Sequence, residues 1–250
     1  MCSFTPMTKK SSLIDAINYR RSVRVYDDNK EIDSDIVKKC IQQATLAPNS
    51  SNMQLWEFHH ITSPQVLKKL AVACLGQSAA TTAKEMVVVV VRKDLWKQRV
   101  KTHLSYLTKL FGVKPKNEYT GREKFALTYY QKIMPFAYGE FFGIYGYIKY
   151  IFSWITGIFK PSYRQLRKSD MRVVAHKSAG LAAQTFMLSM AAEGYDTCPM
   201  EGSDTLRIKK ILKLPARSEI NMVISCGIRK PEGVFGERFR IPFSTIYKHW

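Results

Sequence analysis

Three arginines and a serine fall within five residues at Arg20-Arg21-Ser22-Val23-Arg24. A guanidinium is a planar, permanent cation that grips phosphate through two parallel donors and stacks on rings. A second polar stretch, Pro48-Asn49-Ser50-Ser51-Asn52-Met53-Gln54, offers amides and hydroxyls, and a third, Arg238-Phe239-Arg240, lies near the C-terminus. Taken singly, each reads as a solvated turn. Converging from distant parts of the chain, they would make a donor set for one anionic, planar ligand. Other chemistries lack their residues. The five cysteines are scattered, with no C-x-x-C and no close His-Cys pair, so no metal is expected. No Ser-His-Asp or Cys-His constellation is evident, and no G-x-G-x-x-G follows a strand.

These residues need elements to hold them. Ser11 or Ser12 can cap a helix through about Tyr19, which delivers the chain to the first arginines. Asp33-Ser34-Asp35 opens a second helix that ends before Pro48, so the Asn49–Gln54 stretch is a loop. Trp56–Thr62 alternates as a strand, and Ser63-Pro64 starts a third helix with serine as its cap. Met86–Val91 is an unbroken apolar, β-branched run, the pattern of a strand covered on both faces. Met171–Glu193 is a helix closed by Gly194, Pro199–Asp204 a turn, Thr205–Leu214 a helix, and Glu219–Ile228 a strand. Interleaved helices and strands imply an α+β or α/β class with a central sheet.

At 250 residues and 46% apolar composition, the chain can bury one generous core. The excess of 39 Lys and Arg over 20 Asp and Glu, net +19, favours phosphate-bearing cofactors or anionic surfaces. No helix-turn-helix, zinc-finger or aromatic RNA-binding sheet accompanies it, which argues against nucleic acid. The scattered cysteines suit reduced thiols in a cytoplasmic compartment.

The ordered set Arg20–Asp27, Ala47–Phe58, Pro199–Gly202 with the helix after it, Glu219–Gly227 and Arg238–Pro242 resembles the nitroreductase family of FMN-dependent oxidoreductases. The resemblance implies a three-layer α+β sandwich with a central mixed, mainly antiparallel sheet. It also implies an intertwined homodimer with two FMN sites, each built from both subunits. Arg20, Arg21, Ser22 and Arg24 match the first flavin-binding stretch. Pro48, Ser50, Asn52 and Gln54 match the loop lent by the other subunit. Glu201 and Gly202 match the turn whose backbone lies near flavin N5, Gln77 a ring-contacting amide, and Arg238 and Arg240 the basic pair near the phosphate. Arg20 or Arg24 is the candidate cation beside the ring. The implied activity is ping-pong: NADH or NADPH reduces FMN, and a nitroaromatic, quinone or similar acceptor then takes the electrons. No catalytic side chain is required, since the flavin carries the chemistry. The alternatives are a specialised member (dehalogenase, enone reductase or flavin-destroying enzyme) and a basic peripheral membrane protein that keeps the fold. Asn49 and Met53 depart from many members.

The single domain, 11–250, carries an insertion at about 94–170. Residues 92–170 hold 16 Lys and Arg against 5 Asp and Glu, with an aromatic centre. Phe141–Phe159 is long enough to suggest a transmembrane helix. Flavin-matching residues on both sides of it oppose a single crossing. Three readings stay open: a lid or dimer arm, a surface at about 134–160 resting on anionic lipid, or a re-entrant insertion.

Overall fold

The structure is a computed structural model that describes residues 12–141 and 144–250. Ser11 and Cys2 therefore lie outside the described residues. The elements, in chain order, are α1 (Leu13–Tyr19), α2 (Ser34–Ala44), β1 (Trp56–Ile61), α3 (Pro64–Ala73), α4 (Ser78–Thr81) and β2 (Glu85–Val91). Then come α5 (Trp96–Phe111), α6 (Gly121–Thr128), α7 (Met134–Tyr138), α8 (Ile144–Phe159) and α9 (Lys168–Ala192). The chain closes with β3 (Asp196–Met200), α10 (Thr205–Ile211), β4 (Glu219–Gly227) and α11 (Phe243–Ile246).

The sheet runs β1-β2-β4-β3 with every ladder antiparallel. The parallel element of the expected mixed sheet is an isolated bridge, Ser22 to Thr197. β2 is buried at all seven positions because both faces are covered. Val87, Val89 and Val91 pack with Trp56 against α2 and α9, where Ala175, Ala179, Ala182 and Ala183 let the long helix lie close. Met86, Val88 and Val90 face α3, α4 and α10 on the other side. Helices on both faces of one sheet give three layers.

Caps account for several boundaries. Ser12 and Asp15 form a reciprocal capping box on α1, worth about 1 kcal/mol. Asp33 caps α2 through the Asp35 N–H, and Gly194, with φ 80°, turns the chain out of α9. Ser63 does not cap α3 as the sequence suggests: its hydroxyl donates to Gln65 Oε1 instead. Pro199 is not in a turn but in β3, opposite Ile224. β3 is an edge strand of the ladder, and proline is tolerated there because the outer side needs no donor.

Four cysteines, Cys40, Cys74, Cys198 and Cys226, are buried free thiols. Burial pushes Cys40 up to about 12 and Cys74 up to about 11, and drives Cys198 and Cys226 upward too. A thiol held in its neutral form is a poor nucleophile. A disulfide reagent at pH 8 is therefore expected to leave these four untouched in the folded protein and to modify them only after denaturant is added.

Candidate active site

The segment after α1 is laid along the edge of the sheet. Val23 N–H donates to Thr197 carbonyl at 3.2 Å, Arg24 N–H to Gly233 carbonyl at 2.7 Å, and Asp27 N–H to Ile228 carbonyl at 2.8 Å. Tyr26 between them is fully buried, its hydroxyl within 3.0 Å of the Ser225 carbonyl. Backbone and buried tyrosine thus hold the Arg20–Arg24 segment beside the returning tail.

These four residues line one cleft of about 280 Å³ together with Val234–Phe235 and Glu237–Arg240. Five of its lining residues are arginines and one, Glu237, is acidic. No arginine of the five makes an ion pair among the described residues. Burial first, then the guanidiniums of Arg238, Arg240 and Arg21, lowers the affinity of Arg20 for its proton from the ordinary arginine range. Five crowded guanidiniums facing a single carboxylate, with no ion pair among them, are a donor set for an anion, so the residues fit a phosphate-bearing cofactor.

Hydrogen bonding divides the five. Arg238 donates to the carbonyls of Ile17, Asn18 and Arg20 at 3.3, 2.9 and 2.7 Å, closing the C-terminal end of α1. Arg21 donates to Gly236 carbonyl and Arg240 to its neighbour Phe239 carbonyl. The guanidiniums of Arg20 and Arg24 donate to no side chain or carbonyl among the described residues. The sequence pairs Arg238 with Arg240. The structure gives Arg238 the work of holding the cleft together and leaves Arg20, Arg24 and most of Arg240 open.

A second piece lies beyond β3. Glu201 and Gly202 are exposed, with Gly202 carbonyl accepting from Gln77 Nε2 at 2.8 Å. Gln77 also donates to Cys74 carbonyl at 3.0 Å, so the amide pins the turn to the end of α3. A methyl built on Gly202 would meet nothing nearer than Gln77 Nε2 at 3.9 Å. Internal packing therefore does not demand glycine here. A ligand lying against this backbone would. Gly202→Val is expected to melt within about 0.5 kcal/mol of the parent. With a flavin ring against this turn, as the resemblance implies, the same change should slow flavin reduction by NAD(P)H about a hundredfold, because a displaced ring loses its reactive geometry. Calorimetry and stopped-flow absorbance check the two halves.

The third piece stands apart. Pro48, Ser50 and Asn52 are exposed, and Ser51, Asn52 and Gln54 all have positive φ, near 50°. Asn49 Oδ1 accepts from Gln54 N–H at 2.8 Å and shapes the turn. The insertion clasps it: His103 Nε2 lies 2.7 Å from Asn52 carbonyl, Tyr130 hydroxyl donates to Ser51 carbonyl at 2.9 Å, and Tyr129 hydroxyl is 2.7 Å from Ser51 Oγ. Ser50 and Ser51 line a different cavity, of about 450 Å³, walled by Tyr129, Met134, Phe136, Tyr138 and Phe152. Among the described residues, this cavity and the arginine cleft have no lining residue in common.

Sequence reasoning missed the clasping residues His103, Tyr129 and Tyr130. It also missed the buried pair Asp196–Arg229, which carries Tyr19 and hence the first arginine. Arg229 donates to Asp196 through its backbone N–H at 2.8 Å and Nε at 2.7 Å, and through Nη2 to Tyr19 carbonyl at 3.1 Å. The signal was a lone Asp and a lone Arg flanking β3 and β4, legible only once those strands are paired. Among the described residues no group of three or more His, Cys, Asp or Glu could hold a metal.

A similar architecture and a related sequence are found in other proteins. Protein DrgA of Synechocystis sp. is 26% identical over 224 residues, spanning 90% of this chain and 87% of the relative. The provisionally named NAD(P)H nitroreductase MhqN of Bacillus subtilis is 24% identical, spanning 93% of this chain and 96% of its own. A provisionally named nitroreductase from Exiguobacterium sibiricum, solved in complex with FMN, superposes with a TM-score of 0.66 at 22% identity. That match covers 98% of this chain and all of the other. The profile described as Nitroreductase family matches residues 17–228, a span that opens at the end of α1 and closes just after β4. With the sheet, its flanking helices and the Arg20–Arg24 side of the cleft inside that span, the chain belongs to the nitroreductase family.

Proposed function

We propose that this protein is an FMN-dependent NAD(P)H oxidoreductase acting as a homodimer. The observation that carries the reading is the cleft of five arginines, none of which makes an ion pair among the described residues. Arg20, Arg21, Ser22, Arg24 and Arg240 would hold the cofactor's anionic end, with Arg238 keeping their backbone in place. The N–H groups of Glu201 and Gly202, exposed beside Gln77, would lie against its ring. Pro48, Ser50, Asn52 and Gln54 would come from the partner, which accounts for a loop that is rigidly held yet lines a different cavity from the arginines of its own chain. When bound, FMN supplies hydride and electron-pair transfer between a nicotinamide donor and a second acceptor.

The insertion at about 94–170 belongs to the same domain in this reading. Its residues buttress the loop and wall the 450 Å³ cavity, whose lining is mainly aromatic and aliphatic. Such a wall favours planar, apolar acceptors such as quinones or nitroaromatics. Donor and acceptor would use the same open face in turn, since no G-x-G-x-x-G follows a strand in this sequence. Steady-state rates measured across both substrates are expected to give parallel double-reciprocal lines. Intersecting lines would contradict alternation at one site.

A further inference from the structure

α8 is built inside out. Its buried positions are Gly146, Lys149 and Ser153, small or polar, while Ile148, Ile151, Trp154, Ile155 and Ile158 are each half exposed or more. The inner side is specific. Lys149 Nζ donates to the carbonyls of Phe136, Ala137 and Gly139 at 2.9, 3.1 and 2.9 Å, and so closes the C-terminus of α7. Ser153 Oγ donates to Tyr163 carbonyl at 2.6 Å. A side chain at Gly146 would run into Lys168 backbone N at 3.2 Å. The helix is therefore seated by polar contacts that fix which face turns outward, and that face is apolar. A water-facing helix would show the reverse pattern.

We infer that this face docks on an anionic lipid surface. Three observations favour lipid over a second copy of the chain. The edge of the face is cationic and aromatic: Arg164 stacks on Trp154 at 5.1 Å, Arg167 on Tyr150 at 4.8 Å, and Lys160 follows the last turn. Nearby carboxylates are engaged, Glu140 with Lys149 at 3.8 Å and Asp170 with Arg167 at 2.9 Å. Two copies meeting through this face would bring like-charged rims together in a chain of net +19, whereas anionic headgroups neutralise them. Aromatic and aliphatic groups at the acyl boundary with arginines at headgroup level are the arrangement of a helix lying in the interface plane. It lies in the plane rather than crossing it: sixteen residues rise about 24 Å, short of the hydrocarbon thickness. No helix among the described residues is long and apolar enough to cross a membrane.

The test is flotation of the whole flavin-loaded protein with phosphatidylcholine vesicles, with and without phosphatidylglycerol. The parent is expected to float with the anionic vesicles at low salt and to be released as salt rises. Ile148→Glu/Ile155→Glu should bind at least about tenfold more weakly, with flavin content unchanged. Neither isoleucine lines a cavity described above, so flavin retention reports the fold separately from docking. If that variant misfolds, Lys160→Gln/Arg164→Gln provides the second reading, with binding reduced several-fold at low salt. A parent that stays unbound at low salt, or apolar-face variants that bind like the parent, would overturn the inference. A face variant that changes the subunit mass in solution, with no vesicle binding by the parent, would assign the face to chain–chain contact and overturn it too.

Discussion

Purified Arg20→Ala/Arg240→Ala protein is expected to be colourless. The two guanidiniums line the same cleft, and neither is engaged elsewhere beyond the Arg240 contact to its neighbouring carbonyl. A charge-assisted hydrogen bond contributes about 1.5–3 kcal/mol. Losing one from each residue weakens flavin binding by roughly 3–6 kcal/mol, a factor of about 10² to 10⁴. Folding should be nearly untouched, and removing two like charges from a cluster relieves repulsion. Arg238→Ala is the informative contrast: it strips three carbonyl contacts from the end of α1, so both melting temperature and flavin content should fall. Stoichiometric flavin in the double variant, measured by absorbance after heat release, would refute the assignment of the cleft.

The second large effect lies underneath. Asp196→Ala leaves Arg229 buried without its carboxylate. Both side chains are almost wholly shielded, and Arg229 also stacks on the Tyr19 ring at 4.4 Å. Tyr19 in turn donates its hydroxyl to Gly194 carbonyl at 2.9 Å; burial first and then Asp196 push that hydroxyl up to about 12. One ion pair therefore ties α1, the end of α9, β3 and the loop after β4. Breaking a buried pair from one side costs about 3–5 kcal/mol. For a chain of this length that is a fall of roughly 6–20 °C in melting temperature. Flavin affinity should drop as well, because Tyr19 carries Arg20. Asp196→Ala/Arg229→Met should recover part of the stability, since the uncompensated charge has gone. A single variant that melts within about 1 °C of the parent would show the pair to be dispensable.

The sequence made local periodicity legible and long-range pairing much less so. The apolar run at Met86–Val91 announced a strand covered on both faces, and β2 sits between β1 and β4 with no exposed position. Small residues at Ala179, Ala182 and Ala183 announced a helix packed close, and α9 lies on the sheet. β3 was hidden because five residues with a proline carry no period of their own. Only the ladder with β4 makes them a strand. The arginine clusters were legible as a set, and one cleft receives both. What could not be read was their division of labour. Nothing in Arg238-Phe239-Arg240 says that the first arginine closes a helix end 220 residues earlier in the chain. The aromatic middle was readable as helix, but its orientation was not. Lys149 decides it, turning inward to three carbonyls and leaving the isoleucines outside. The separation of the Ser50–Gln54 loop from the arginines is the feature of the single chain that most needs a partner to explain it.

Subunit mixing tests that directly. One parent of the mixture lacks the cleft (Arg20→Ala/Arg240→Ala) and the other lacks the loop amides (Asn52→Ala/Gln54→Ala). Each variant alone should purify without flavin. A dimer containing one of each has one cleft and one loop intact, facing each other across the interface. It should bind one flavin per two subunits and regain about half the parental NAD(P)H oxidation rate. Flavin-free mixed dimers, or full flavin content in the loop variant alone, would mean that the cofactor is held within one chain and that the shared site does not exist.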